Sequence, residues 1–349
     1  MSDYLKKRHY LRKLIKNILF VLKNCFPIGK KVFLLCTPDH ENIGDSAIVL
    51  AEYAILSDCG YKKSRIKEFT STEYSQNSGM LNRYISSRNL ICLHGGGNMG
   101  NVWYGEELLR QHVLKSNTQN KIVVFPQTFF YTDDLIGKEY LEKSKYVYNK
   151  TNLTITAREK ESYKLMNETY RDARVIISPD AVLYTDYSSY DINPHTHNRK
   201  GVLLVFRNDI EQSINGEVVT CIENYLYENN YQYRFSDMYS KQTITKEHRC
   251  LEVSTKLNEF STQELIITDR LHGMLFACIT GTPCIVFSNN NHKVTGTYEW
   301  IKHLNYIKYV ETADEAIEYI PQLMKMKDCK YDKTVLMPYF EDLIDVIKE

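Results

Sequence analysis

Short runs of apolar residues alternate along this chain with longer stretches in which apolar positions recur at helical spacing. That alternation predicts an α/β fold, with buried strands joined by amphipathic helices. In the first half the strand candidates are Lys31–Cys36, Leu90–Leu93, Lys121–Phe125, Leu153–Thr156 and Val175–Ile177. Helical stretches fall between them, such as Ser46–Leu56 and Glu106–Leu114. The strands are apolar nearly throughout, as parallel strands covered on both faces are.

The pattern breaks at Tyr187–Lys200, a polar, aperiodic stretch that carries a proline and reads as an interdomain linker. A second series follows, with strands at Val202–Phe206, Tyr231–Phe235, Leu265–Thr268, Cys284–Phe287 and Tyr306–Val310. Ala313–Met324 and Tyr339–Lys348 read as closing helices. The expected organisation is a basic amphipathic N-terminal helix (1–30) and a first Rossmann-like domain (31–186). The linker (187–200) and a second Rossmann-like domain with the closing helices (201–349) follow. Two such halves would face each other across a cleft, with ligands beyond the carboxyl ends of the strands.

Length and composition fit this picture. A chain of 349 residues is too long for one ordinary core and right for two. Forty-four basic residues against 43 acidic give a net charge of +1, which excludes a uniformly basic, nucleic-acid-coating surface. The nine cysteines are odd in number and form no CxxC pair, and Cys36, Cys92 and Cys284 fall in apolar runs. Reduced, buried, cytosolic cysteine is the expectation, with neither a disulfide framework nor a zinc site. No apolar run approaches the roughly 20 residues of a membrane span. The first 24 residues mix Lys6, Lys7, Arg8, Arg12, Lys13, Lys16 and Lys23 with leucine and isoleucine. They read equally as a helix lying on anionic lipid and as a helix packed on the domain with a solvated basic face.

Three strand-end loops carry candidate chemistry. After the first strand comes Pro38–Ser46, in which Gly44 permits a tight turn and Asp45 or Ser46 can cap the following helix. Asp45 could instead orient or deprotonate a hydroxyl at the cleft. After Leu90–Leu93 comes His94-Gly95-Gly96-Gly97-Asn98, which is neither a GxGxxG fingerprint nor a P-loop. Its glycines fit a tight strand-to-helix turn or close approach of backbone to a ligand, and His94 is a candidate base. The third loop is Asp269-Arg270-Leu271-His272-Gly273, followed closely by Gly281-Thr282-Pro283 and the next strand. The compact unit crowds Asp269, Arg270 and His272 at one strand end. Arginine offers a rigid fork for carboxylate or phosphate, and histidine can donate a proton near neutrality. Arg158, Arg207 and Lys293 lie at strand ends or in nearby loops and could add positive charge, and Asp180 is a fourth strand-end candidate.

The ordered set Asn42-x-Gly44-Asp45, Gly95-Gly96-Gly97-Asn98, Ala157-Arg158-Glu159, Ser178-Pro179-Asp180 and Thr268-Asp269-Arg270-Leu271-His272-Gly273 with Gly281-Thr282-Pro283 resembles the polysaccharide pyruvyl transferases across roughly residues 31 to 300. The resemblance implies a glycosyltransferase-B-like fold of two Rossmann-like domains. It implies phosphoenolpyruvate as donor, bound on the C-terminal side. It implies a sugar of a cell-surface glycan or its lipid-linked precursor as acceptor, on the N-terminal side; Asn42, Gly96 and Asn98 are expected among the substrate-binding residues. The family's donor arginine and histidine map onto Arg270 and His272, with Leu271 between them. A further donor arginine fits Arg158 best, with Arg207 as the alternative.

Ketal formation then needs an acid and fixed cations, with neither a metal nor a cofactor. His272 is the expected acid. Arg270 and Arg158 would hold carboxylate and phosphate with help from Lys293, and Asp45 or His94 would serve the acceptor hydroxyl. The expected placement is cytoplasmic, with peripheral contact at the inner membrane face through the N-terminal helix. Two rivals stay open on the same scaffold. One is a sugar-nucleotide glycosyltransferase, for which only Glu299 offers an acidic ribose partner; the other is a non-catalytic member of a glycan-assembly complex.

Overall fold

The computed structural model describes residues 8, 11, 15, 19, 29–150, 152–190, 199–207, 214–288 and 292–349. The chain forms two parallel sheets. The first contains β1 (Val32–Thr37), β2 (Ile66–Thr70), β3 (Leu90–Leu93), β4 (Gly96–Gly100), β5 (Ile122–Phe130), β6 (Leu153–Ala157) and β7 (Arg174–Ile177). Its order is β2-β1-β3-β5-β6-β7, with β4 paired to β5. The second contains β8 (Val202–Val205), β9 (Tyr233–Phe235), β10 (Leu265–Thr268), β11 (Cys284–Phe287) and β12 (Ile307–Val310), in the order β12-β11-β10-β8-β9.

The apolar runs became strands because both faces of each sheet are covered. Val32, Leu34, Leu35, Ile91, Cys92, Val123 and Val124 have no accessible surface in the first sheet, nor do Val202–Val205 and Leu265–Ile267 in the second. Each sheet reverses its winding once, between β1 and β3 and between β8 and β10. Such switch points open a crevice beyond the strand ends. The loops leaving them are the ones in which the chemistry was expected.

Two elements were not expected. β2 is an edge strand of mixed polarity, Ile66-Lys67-Glu68-Phe69-Thr70. β4 is built from the glycine run itself, so Gly96–Gly100 is no strand-to-helix turn, and the next helix starts only at Tyr104. Gly100 (φ 156°) shows why a glycine stands there: a Cβ would lie 1.7 Å from the Phe130 carbonyl oxygen of the paired strand.

One continuous apolar cluster joins the halves. It runs from Ile48 and Ile55 of the helix Ile43–Asp58 to Val253 and Leu257 of the helix Arg249–Ser261 and on to Phe276. The segment after β9 crosses to the first domain. Ile43 N–H donates to the Met238 carbonyl (2.9 Å), Ser240 N–H donates to the Glu41 carbonyl (2.8 Å), and Asn42 bridges Tyr239 antiparallel. Arg249 donates to Glu68 at 2.9 Å, both side chains being buried. The closing helix Glu341–Lys348, expected with the second domain, lies against β7 of the first sheet, where Glu349 pairs with Lys121 and Arg174.

Tyr187–Tyr190, at the start of the expected linker, is a short 3-10 turn, and 191–198 lie outside the described residues. The expected N-terminal helix lies largely outside them too. Arg8, Leu11, Ile15 and Leu19 are described; they are helical and exposed.

Candidate active site

Both switch points open onto one cavity of about 400 Å³ between the domains. The helix Ile43–Asp58 starts one residue after Asn42, whose side-chain oxygen accepts from the N–H groups of Gly44 (2.9 Å) and Asp45 (3.3 Å). Asn42 is therefore the cap, a role expected of Asp45 or Ser46. Asp45 falls in the first helical turn, and its carboxylate lines the cavity. Burial raises its pKa, but positive charge from His40, His272, His94 and Arg158 outweighs that and holds it below the usual carboxylate value. Its nearest described partner is His40 Nε2, at 3.6 Å.

The second domain supplies Arg270, Leu271 and His272 at the turn from β10 into the helix Leu271–Ile279. Thr268 Oγ donates to the Val205 carbonyl (2.7 Å) and accepts from Arg270 N–H (3.0 Å), which fixes the turn. Gly273 is needed for the same crossing, since a Cβ there would lie 2.5 Å from Thr268 Oγ. Arg270 pairs with Asp237 at 2.6 Å, and its guanidinium lies over the Tyr239 ring, 5.1 Å from the centroid. Lys293, the first residue of the helix Lys293–Ile301, is buried and lines the cavity, where the helix dipole also favours an anion.

His272 packs against the first domain at Gly44. A Cβ on Gly44 would lie 2.3 Å from His272 Nδ1 and 2.4 Å from Cγ. The imidazole Nε2 is buried, bonds no described residue, and faces Asp180 Oδ2 at 3.8 Å. Desolvation lowers its pKa and outweighs the attraction of Asp180 and Asp45, while Arg158 and Lys293 push the same way as burial. Gly44→Ala is therefore expected to keep the fold and lose the site. Alanine favours a helix interior by up to ~1 kcal/mol, but the imidazole must move, and a 1 Å displacement of a catalytic group costs about 100-fold in rate. Turnover beside an unchanged far-ultraviolet dichroism spectrum checks this.

Arg158 comes from the end of β6 and is only 1% exposed. Nε and Nη2 donate to Thr128 Oγ (3.1 and 2.6 Å), and Nη1 donates to Asp180 Oδ2 (2.8 Å). Its carbonyl accepts from Trp300 of the second domain at 2.9 Å. Asp180, itself 1% exposed, also caps the turn at Val182 through Oδ1 (2.9 Å). Asp180 thus faces both Arg158 and His272. Its strand-end position makes Asp180 a candidate from sequence, and the structure gives it a capping bond as well as two basic neighbours.

Of the candidates, Asn42, Asp45, Asn98, Arg158, Arg207, Arg270, Leu271, His272 and Lys293 come together around the cavity. Asp180 and three others stand outside its lining. His94 is 5% exposed, with Nδ1 3.0 Å from both carboxylate oxygens of Glu52, which raise its pKa against the opposing effect of burial. Gly96 lies in β4, and its neighbour Gly97 reaches the wall instead. Asp269 is fully buried; its Oδ1 accepts from Arg207 N–H at 2.8 Å, and burial raises its pKa to about 6. It shapes the Arg207 turn from behind. Glu299 pairs with Lys302 on the surface, away from the cavity.

His40, Trp103, Glu106, Met238 and Tyr239 also line the cavity and were not singled out from sequence. A larger groove of about 1110 Å³ lies beside β2, where Glu68, Arg249, Lys246 and Glu73 pair with one another. It holds none of the strand-end residues.

The model of the polysaccharide pyruvyl transferase family matches residues 42–291. General stress protein 30 of Bacillus subtilis is 31% identical over 323 residues, 90% of this chain and 91% of its own. Pyruvyl transferase 1 of Schizosaccharomyces pombe is 26% identical over 291 residues, 78% of this chain and 70% of its own. The fold is similar to that of S. aureus MnaA bound to UDP, with a TM-score of 0.53 at 13% identity, over 92% of this chain and 98% of that one. The architecture is accordingly glycosyltransferase-B-like, and the chain belongs to the polysaccharide pyruvyl transferase family.

Proposed function

We propose that this transferase moves the three-carbon unit of phosphoenolpyruvate onto two hydroxyls of a sugar in a cell-surface glycan or its lipid-linked precursor. The product is a pyruvate ketal, and inorganic phosphate is released. The observation that carries the reading is the single cavity in which His272 stands among Arg158, Arg270 and Lys293. A trianionic donor needs such fixed cations, and the chemistry needs one acid beside them.

In the proposed step His272 gives a proton to the methylene carbon, which becomes the methyl group. Positive charge develops at the carbon that bears phosphate. One acceptor hydroxyl adds there and loses its proton to Asp45; phosphate departs, and the second hydroxyl closes the ring. One hydroxyl proton ends on the methyl group and the other on phosphate, so the balance needs no co-reactant. Asp45 suits the base role because it is held ionised. Arg158 Nη1 and Nη2 and the Arg270 fork suit the carboxylate and phosphate.

The site of action in this reading is the cytoplasmic face of the membrane. No described helix is long and apolar enough to cross a bilayer. The exposed stripe Leu11, Ile15 and Leu19 lies in a segment with seven basic residues and no acidic one between Tyr4 and Asn24, which suits peripheral contact with anionic lipid. Flotation with phosphatidylglycerol vesicles, and none with phosphatidylcholine alone, is the expected result. The transfer itself is tested by phosphate release from phosphoenolpyruvate with a glycan acceptor present.

A further inference from the structure

We infer that the N-terminal wall of the cavity is a pyranose subsite in which the acceptor ring stacks on Trp103. The inference rests on the pyruvyl transfer reading and names the side chains that would seat its acceptor ring.

The cavity is divided by charge. Arg158, Arg207, Arg270 and Lys293 supply the cations, and three of these four come from the second domain. His40, Asn98, Trp103 and Glu106 come from the first domain and carry no permanent positive charge. Trp103 is 38% exposed although it lines a cavity, so a broad apolar face is open to a ligand. Its backbone is also held in place. It precedes the helix Tyr104–Ser116, its carbonyl accepts from Glu106 N–H (3.1 Å), and Tyr104 stacks on Tyr140 at 3.9 Å.

The polar groups beside the indole suit hydroxyls. Glu106 accepts from Ser71 through one carboxylate oxygen (2.8 Å), and no described residue bonds the other. That oxygen can accept from a sugar hydroxyl and would repel a phosphate. Asn98 has its side-chain oxygen taken by Arg110, which leaves its amide N–H groups to donate. An aromatic face with an acidic acceptor and an amide donor matches the alternating C–H and O–H surface of a pyranose ring. Asp45 adjoins this wall through His40 at 3.6 Å and the donor wall through its coupling to His272. A ring stacked on Trp103 is thereby placed next to the proposed base.

The chain has only two tryptophans, and the other, Trp300, is tied to the Arg158 carbonyl. Intrinsic fluorescence therefore reads the subsite without any turnover. Methyl β-D-galactopyranoside, methyl β-D-glucopyranoside and UDP are titrated into wild type and Trp103→Phe. Quenching by at least one pyranoside in wild type, lost in Trp103→Phe, is the expected result. In steady-state assays Trp103→Ala should raise the KM for glycan about 10-fold and leave the KM for phosphoenolpyruvate unchanged, whereas Trp103→Phe keeps most of the affinity.

Quenching by UDP alone would make the wall a nucleotide site and overturn the inference. So would unchanged emission with every pyranoside, or an unaltered glycan KM in Trp103→Ala. If pyranosides quench while phosphoenolpyruvate yields no phosphate, the subsite stands and the pyruvyl transfer reading fails.

Discussion

His272→Gln is expected to lower pyruvyl transfer by about 10²–10⁴-fold while phosphoenolpyruvate still binds within a few-fold of wild type. Glutamine keeps nearly the volume of imidazole, so contact with Gly44 is retained, but it has no proton to transfer. Arg158, Arg270 and Lys293 stay in place to hold the anion. The pH profile carries the same information with a definite sign. Burial lowers the pKa of His272 in the free enzyme. The acid-competent fraction therefore falls as pH rises through a value below the ordinary histidine range, and kcat/KM should fall with it. A bound trianion favours imidazolium, so the corresponding limb of the kcat profile should lie at higher pH. His272→Gln should lose both limbs. A variant that bound donor normally and kept wild-type turnover and pH dependence would remove His272 from the mechanism.

Arg158 should give the second large effect, expressed in stability as well as rate. Its guanidinium neutralises Asp180 at 2.8 Å, with both residues 1% exposed. Arg158→Met leaves that carboxylate buried and unpaired, a change expected to cost about 3–5 kcal/mol and visible in urea unfolding. Arg158→Met with Asp180→Asn should recover most of the loss, because asparagine removes the charge and keeps the cap on Val182. The double variant should nevertheless remain about 10²–10³-fold down in kcat/KM for phosphoenolpyruvate, since the fixed charge is gone. Arg158→Lys keeps a charge but cannot reach Thr128 and Asp180 together, so it too should fall well short of wild type. Recovery of activity together with stability in the double variant would assign Arg158 a structural role alone.

How much of this was visible in the sequence depends on the distance over which each feature is encoded. Arg270-Leu271-His272-Gly273 was legible because strand, turn and helix are contiguous, and the compact return through Gly281-Thr282-Pro283 leaves the polar residues one place to go. Apart from the mixed-polarity edge strand β2, the strands of the apolar runs were legible for the same reason. The glycine run was not. Glycine disfavours strands, yet pairing with β5 makes Gly96–Gly100 one, an outcome set by close backbone packing against Phe130.

The residues alone place the cap at Asp45 or Ser46, where the helical spacing begins; one more turn at the front of the helix brings Asn42 into that role and releases Asp45. Trp103, Tyr239 and His40 carry no local pattern, and they meet only when the segment after β9 crosses to pair with Asn42. The closing helix has a clear apolar face, but nothing in its own residues says that the face is buried against β7 of the other domain.

The most direct test incubates purified wild-type protein with phosphoenolpyruvate and surface glycan isolated from the producing cells, and follows inorganic phosphate and the mass of the glycan together. The account predicts phosphate release that depends on glycan, equals the ketal-linked pyruvate gained by it, and disappears in His272→Gln. No glycan-dependent phosphate from phosphoenolpyruvate, with release of UDP when a UDP-sugar is supplied instead, would contradict it.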